Sequence, residues 1–112
     1  MNKVIILNSA VMPQEGIYVL KKITKGKFCE ELKYAYDFGI LRNYIGYQQN
    51  IDFIKQWTGV ELILSREETK IDDGDVMLIM KLKYRVKDPS TKGQPVSEED
   101  YEFYMCYYSK EK

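Results

Sequence analysis

Val4-Ile5-Ile6-Leu7 is an unbroken apolar, mostly β-branched run, the pattern of a central strand buried on both faces. It ends at Asn8-Ser9, residues that favour turns. Met12-Pro13-Gln14-Glu15-Gly16 reads as a turn, and Gly16 to Ile23 alternates as a second strand. Thr24 is placed to cap a helix on which Phe28, Leu32 and Ala35 recur at helical spacing, and Gly39 stops it. A short strand, Ile40 to Tyr44, leads into Gly46-Tyr47. The next helix is predicted from about Asn50 to Thr58, with Ile51, Ile54 and Trp57 on one stripe and Gly59 just past its end.

Val60 to Leu64 fits a short strand or an extended connection. Glu67 to Ile71 is expected to pair with Asp75 to Arg85 across Asp72-Asp73-Gly74, a strong hairpin signal. The long strand from Val76 to Val86 carries Arg85 near its end and gives way to a surface loop, Lys87 to Pro95. Ser97 opens an S-x-x-D helical turn with Asp100 in the reciprocal capping position, and Tyr101 to Tyr108 is a final, aromatic-rich strand. These elements predict one α/β domain over residues 1–112, a mixed β-sheet of about five or six strands flanked by two main helices.

Charge narrows the partners. Seventeen basic residues balance seventeen acidic ones, so nothing draws the whole chain to long DNA or RNA. A small anionic ligand needs only a local basic cluster. Cys29 and Cys106 are far apart and form no C-x-x-C pair, so they are expected as core thiols in a reducing cytosol rather than as metal ligands. Val4 to Leu7 is too short for a signal sequence and no stretch approaches spanning length, so a cytoplasmic protein without a membrane partner is expected.

Candidate chemistry gathers at strand ends. Asn8 and Ser9 leave the carboxyl end of the first strand, where open α/β sheets bind ligands. On their own such residues more often only terminate a strand. Gly46 permits a close approach of ligand to backbone, and Tyr47 and Gln48 sit at the positive end of the following helix. Arg85 offers a planar, permanently charged fork for phosphate. The loop after it is a candidate lid with Lys87 and Lys92 as optional phosphate contacts, and Arg66 is a further basic candidate. Of the ten tyrosines, Tyr44 and Tyr47 are the better nucleobase candidates because they flank Gly46. Tyr101, Tyr104, Tyr107 and Tyr108 fit a sheet or dimer surface.

Asn8-Ser9-Ala10, Ile45-Gly46, the Gly74-Asp75 turn, Arg85 and the closing aromatic strand, in that order, resemble a small viral and prophage family of ring nucleases. Members of that anti-CRISPR family remove cyclic oligoadenylates, the second messengers of type III CRISPR immunity. The resemblance implies a homodimer holding one ring across its two-fold axis, with cyclic tetra-adenylate as the first ligand to consider. It implies ligand contacts from Asn8, Ser9, Ala10, Gly46, Tyr47, Gln48, Arg85, Lys87 and Lys92, without metal or cofactor, in the host cytoplasm.

The family's reaction resembles metal-free ribonuclease chemistry. A ribose 2′-OH attacks its own phosphate, the 5′-oxygen leaves, and linear products with 2′,3′-cyclic phosphate ends result. The family places a catalytic histidine where this chain has Tyr47, and a glutamate where it has Asp88; the chain contains no histidine. Histidine near neutral pKa can protonate the leaving oxygen, whereas tyrosine titrates near pH ~10 and is a weak acid. Sequestration of the messenger with little or no cleavage is therefore the first expectation. The second is a ring nuclease using Tyr47, Arg85 and Asp88. The third is a protein-interaction module that has lost the nucleotide and binds through its exposed aromatic strand, Tyr101 to Tyr108.

Overall fold

The apolar run Val4–Leu7 is strand β1, and it lies inside the sheet with a parallel partner on each side. The computed structural model describes residues 2–65, 67–83 and 97–110. Along the chain follow β2 (Ile17–Ile23), α1 (Lys25–Asp37), β3 (Leu41–Asn43), α2 (Gln48–Thr58) and β4 (Val76–Leu82). A 3₁₀ turn (Glu98–Asp100) then leads into β5 (Tyr101–Ser109). The five strands form one mixed sheet in the order β2-β5-β4-β1-β3, with β5 antiparallel to both its neighbours. Fold class, strand number and the two helices are as the sequence predicts.

Both helices pack on the same face. Phe28 and Leu32 of α1 and Ile51 and Ile54 of α2 join Ile6, Leu78, Met80, Phe103 and Met105 in the larger core cluster. Fully burying each such side chain stabilises the fold by about 1.5–3 kcal/mol. The opposite face buries Ile5, Leu7, Met77, Ile79, Cys106 and Tyr108 under non-helical chain, with Ile71 plugged among them. There Gln14 bridges the Tyr108 hydroxyl (2.9 Å) and the Ile71 carbonyl (2.8 Å), which draws the Met12–Gly16 turn down onto the sheet. β1 is buried on both faces for this reason.

Local signals hold at most helix ends. Thr24 Oγ1 accepts from the Lys27 N–H at 3.1 Å, and Gly59 closes α2 in the left-handed region at φ 79°. Asp100 Oδ2 accepts from the Ser97 N–H at 2.9 Å, the reciprocal contact expected of S-x-x-D. Helix α2, however, begins at Gln48 rather than Asn50, with Tyr47 as its N-cap.

The hairpin is not formed. Asp72-Asp73-Gly74 does turn, with the Asp75 N–H on the Asp72 carbonyl at 3.0 Å, but residues 67–71 are not a strand. The Asp75 carboxylate, 1% exposed, accepts from the backbone N–H groups of Lys3 and Asp72, both at 2.8 Å. That ties the turn to the entry of β1, and β4 takes its partners from β1 and β5 instead. Val60 to Leu64 is likewise an extended connection, held by Asn43 Nδ2 on the Ile63 carbonyl (2.6 Å). The final strand is not an edge. β5 lies between β2 and β4, Tyr101 and Tyr108 are buried, and only Tyr107 of its four tyrosines is exposed. Edge pairing through Tyr101 to Tyr108 is thereby excluded.

Candidate functional site

Because β1 and β4 are parallel and β5 runs against them, the carboxyl ends of β1 and β4 meet the start of β5, where Leu82 pairs with Tyr101. The amino end of α2 reaches the same edge. Together they enclose an open groove of about 880 Å³. Ligands in open α/β sheets bind outside strand carboxyl ends in this way.

Asn8, Ser9 and Ala10 form one wall of the groove and Tyr47 another, so these four residues, chosen from the sequence, are brought together. Asn8 Oδ1 also accepts from the Gly46 N–H at 3.4 Å, linking the exit of β1 to the turn before α2. Tyr47 has extended backbone geometry (φ −120°, ψ 123°) and its side chain makes no cap bond. The ring, 61% exposed, instead projects at the groove. The first N–H groups of α2 are thus left without a side-chain acceptor at the positive end of the helix dipole.

The other sequence candidates separate. Gly46 is not among the residues that line the groove, and a Cβ there would lie 3.3 Å from the Ser65 carbonyl oxygen, so the chain's own backbone comes close to it. Gln48 turns along its helix to Asp52 (2.9 Å), and its neighbour Gln49 faces the groove instead. Tyr44 packs against the core cluster of the opposite face, so it shares no surface with Tyr47. Arg66, Arg85, Lys87, Asp88 and Lys92 lie outside the described residues.

Sequence reasoning missed six of the ten lining residues. Asn50, Lys81, Leu82, Lys83 and Tyr101 complete the groove with Gln49. Among the described residues that line it are two lysines and no carboxylate; exposed Lys83 can offer its charge to an anion there, whereas Lys81 pairs in register with Glu102. The Lys81 ammonium stands 6.0 Å from the Tyr104 ring centre. The Tyr101 hydroxyl donates to Asn50 Oδ1 at 2.5 Å and accepts from Gln49 Nε2 at 3.4 Å. Burial pushes the Tyr101 phenol above its ordinary pKa, so it stays protonated as a donor. Lys81 and Lys83 carry no local signal of their own, since the register of β4 with β5 brings them to the groove, and the basic candidates read from the sequence were Arg66, Arg85, Lys87 and Lys92. Among the described residues no cluster of His, Cys, Asp and Glu could hold a metal, and no helix is long and apolar enough to cross a membrane.

A model of the STIV B116-like family matches residues 4–105. Among solved structures, the chain is similar to B116 of Sulfolobus turreted icosahedral virus, with a TM-score of 0.78 and 24% sequence identity. The match covers 95% of this chain and 99% of that one, and at this identity it is a likeness of fold. No curated protein matches the chain.

Proposed function

The chain belongs to the STIV B116-like family, and from that premise we propose that it binds a small cyclic oligoadenylate and neutralises type III CRISPR or related antiviral signalling mainly by sequestration. The observation that carries this reading is the groove itself. It unites Asn8, Ser9, Ala10 and Tyr47 with an uncapped helix amino end and two lysines, and no carboxylate lines it among the described residues. Such a surface suits a compact, phosphate-bearing ligand. The groove is open, and a second copy of the chain placed across a two-fold axis would let both halves grip one symmetric ring.

Little turnover is expected. No histidine is present to protonate the leaving 5′-oxygen, and the phenol that stands in its place is by type a much weaker acid than an imidazolium. Calorimetric titration with cyclic tetra-adenylate, followed by chromatography of the recovered ligand, tests the proposal. One intact ring bound per dimer supports sequestration. Many turnovers to linear fragments with 2′,3′-cyclic phosphate ends would replace it with a ring nuclease. No heat on titration would remove the ligand class.

A further inference from the structure

Asn50 combines two properties that conflict in an ordinary core residue. It is 4% exposed, yet it lines the groove. Its Oδ1 accepts from the Tyr101 hydroxyl, and the Tyr101 oxygen accepts from Gln49 Nε2. The middle of this chain sets its direction. A tyrosine hydroxyl has one proton to give, and with Gln49 donating to the oxygen that proton goes to Asn50. Reversing the carboxamide would turn Nδ2 toward the phenol oxygen and strand the tyrosine proton in a site where Tyr101 is itself 4% exposed.

The carboxamide therefore presents Nδ2 away from Tyr101. No acceptor within the described residues bonds it, and no side-chain nitrogen or oxygen that is fully buried lacks a partner. Nδ2 is thus not sealed in the core, and the surface Asn50 lines is the groove. An uncharged donor set this deep, beside Leu82 and the Tyr101 ring, offers no counter-charge for a buried phosphate. It suits a neutral acceptor on a flat ring.

We propose that Tyr101 is a positioning residue that fixes Asn50 as a hydrogen-bond donor, and that Asn50 reads a bare ring nitrogen of an adenine base. This deepens the proposed function and rests on it. Asn50 Nδ2 is the specificity contact; Lys83 and the helix amino end take the phosphates.

The test is titration with cyclic tetra-adenylate and cyclic tetra-uridylate, with side-chain amide signals recorded by ¹⁵N-resolved NMR. In the wild type the Asn50 amide pair shifts on binding the adenylate ring. Tyr101→Phe moves that pair in the free protein and weakens the adenylate ring roughly three- to tenfold, the effect of one lost hydrogen bond. Asn50→Asp keeps an acceptor for Tyr101 but loses the donor. It weakens the adenylate ring at least about tenfold at pH 8 and recovers toward pH 5, as the carboxyl gains a proton to donate. An equal loss for the uridylate ring would assign the contact to phosphate and overturn the adenine reading. An Asn50 pair unmoved by an adenylate ring that does bind would overturn the inference and leave the proposed function standing. A wild type that binds neither ring would overturn both.

Discussion

The Gly46 N–H donates to Asn8 Oδ1 across 3.4 Å, so the end of β1 and the start of α2 are joined at the rim of the groove. Asn8 is then both a wall of the site and the strut that holds the opposite wall. Asn8→Ala is expected to lower the stability of the fold by about 1 kcal/mol and to weaken the ring ligand several-fold. Paired thermal melts and calorimetric titrations check this; unchanged affinity in a destabilised variant would leave Asn8 a purely structural role.

Tyr47 faces the groove from the position the sequence resemblance gives to a catalytic histidine. Tyr47→His is expected to raise cleavage of cyclic tetra-adenylate at least about tenfold above the wild-type rate, since a positioned acid of near-neutral pKa contributes roughly 10²–10⁴ in rate. The rate should be bell-shaped or sigmoidal with pH around the imidazole pKa. A variant as slow as wild type would place Tyr47 away from the scissile bond.

Lys83 is exposed, while Lys81 stands near the Tyr104 ring. Lys83→Glu should weaken an anionic ring severalfold at low salt, and the deficit should shrink as ionic strength rises and the Debye length falls below about 10 Å. Titrations at low and high salt separate this from a loss of shape. A deficit indifferent to salt would mean Lys83 acts by packing.

Burial pushes both the Cys106 thiol and the Tyr101 phenol above their ordinary pKa values. For groups raised in the folded state, the stabilisation is complete below the unfolded pKa and is lost as pH climbs through the folded one. Stability should therefore hold up to about pH 8.5 and decline beyond it, most steeply above about pH 10. Denaturant melts at stepped pH check the slope, and Tyr101→Phe should make the alkaline part shallower.

Asp75 and Gly74 form the stability hinge of the turn before β4. Asp75→Ala leaves the N–H groups of Lys3 and Asp72 without their acceptor and should cost about 2–4 kcal/mol. Gly74 has φ +85°, and a Cβ there would stand 2.8 Å from the Asn2 side chain, so Gly74→Ala should cost about 1–2 kcal/mol. Urea titrations with an unchanged m-value would confirm both.

What was legible in the sequence was whatever depends on near neighbours. The buried run Val4–Leu7, the Thr24 cap, the Gly59 stop and the Asp100–Ser97 contact each follow from residues a few positions apart. The false hairpin shows the limit. Asp-Asp-Gly turns as expected, but the choice of partner for β4 is settled by contacts with residues seventy positions away, such as Asp75 to Lys3. The site divides in the same way. Asn8, Ser9, Ala10 and Tyr47 follow strand or helix ends that the pattern marks, whereas Asn50 and Tyr101 enter through tertiary packing and carry no local signal. At Gly46 the close approach that glycine permits is made by the Ser65 backbone, a partner nineteen positions away that the local pattern does not reveal.

The position of β5 bears on how the molecule is made. Among the described residues β2 has no sheet neighbour except β5, which pairs Ile23 with Phe103 and Ile17 with Ser109. During synthesis β2 leaves the ribosome with its hydrogen-bonding edge unpaired and waits while α1, β3, α2 and β4 are translated. Insertion of β5 then closes β2 and β4 together in one late step, a long-range pairing that is slow by its topology. A nascent chain halted before Tyr101 holds two unsatisfied strand edges at once, which makes that stage of translation the one most exposed to self-association.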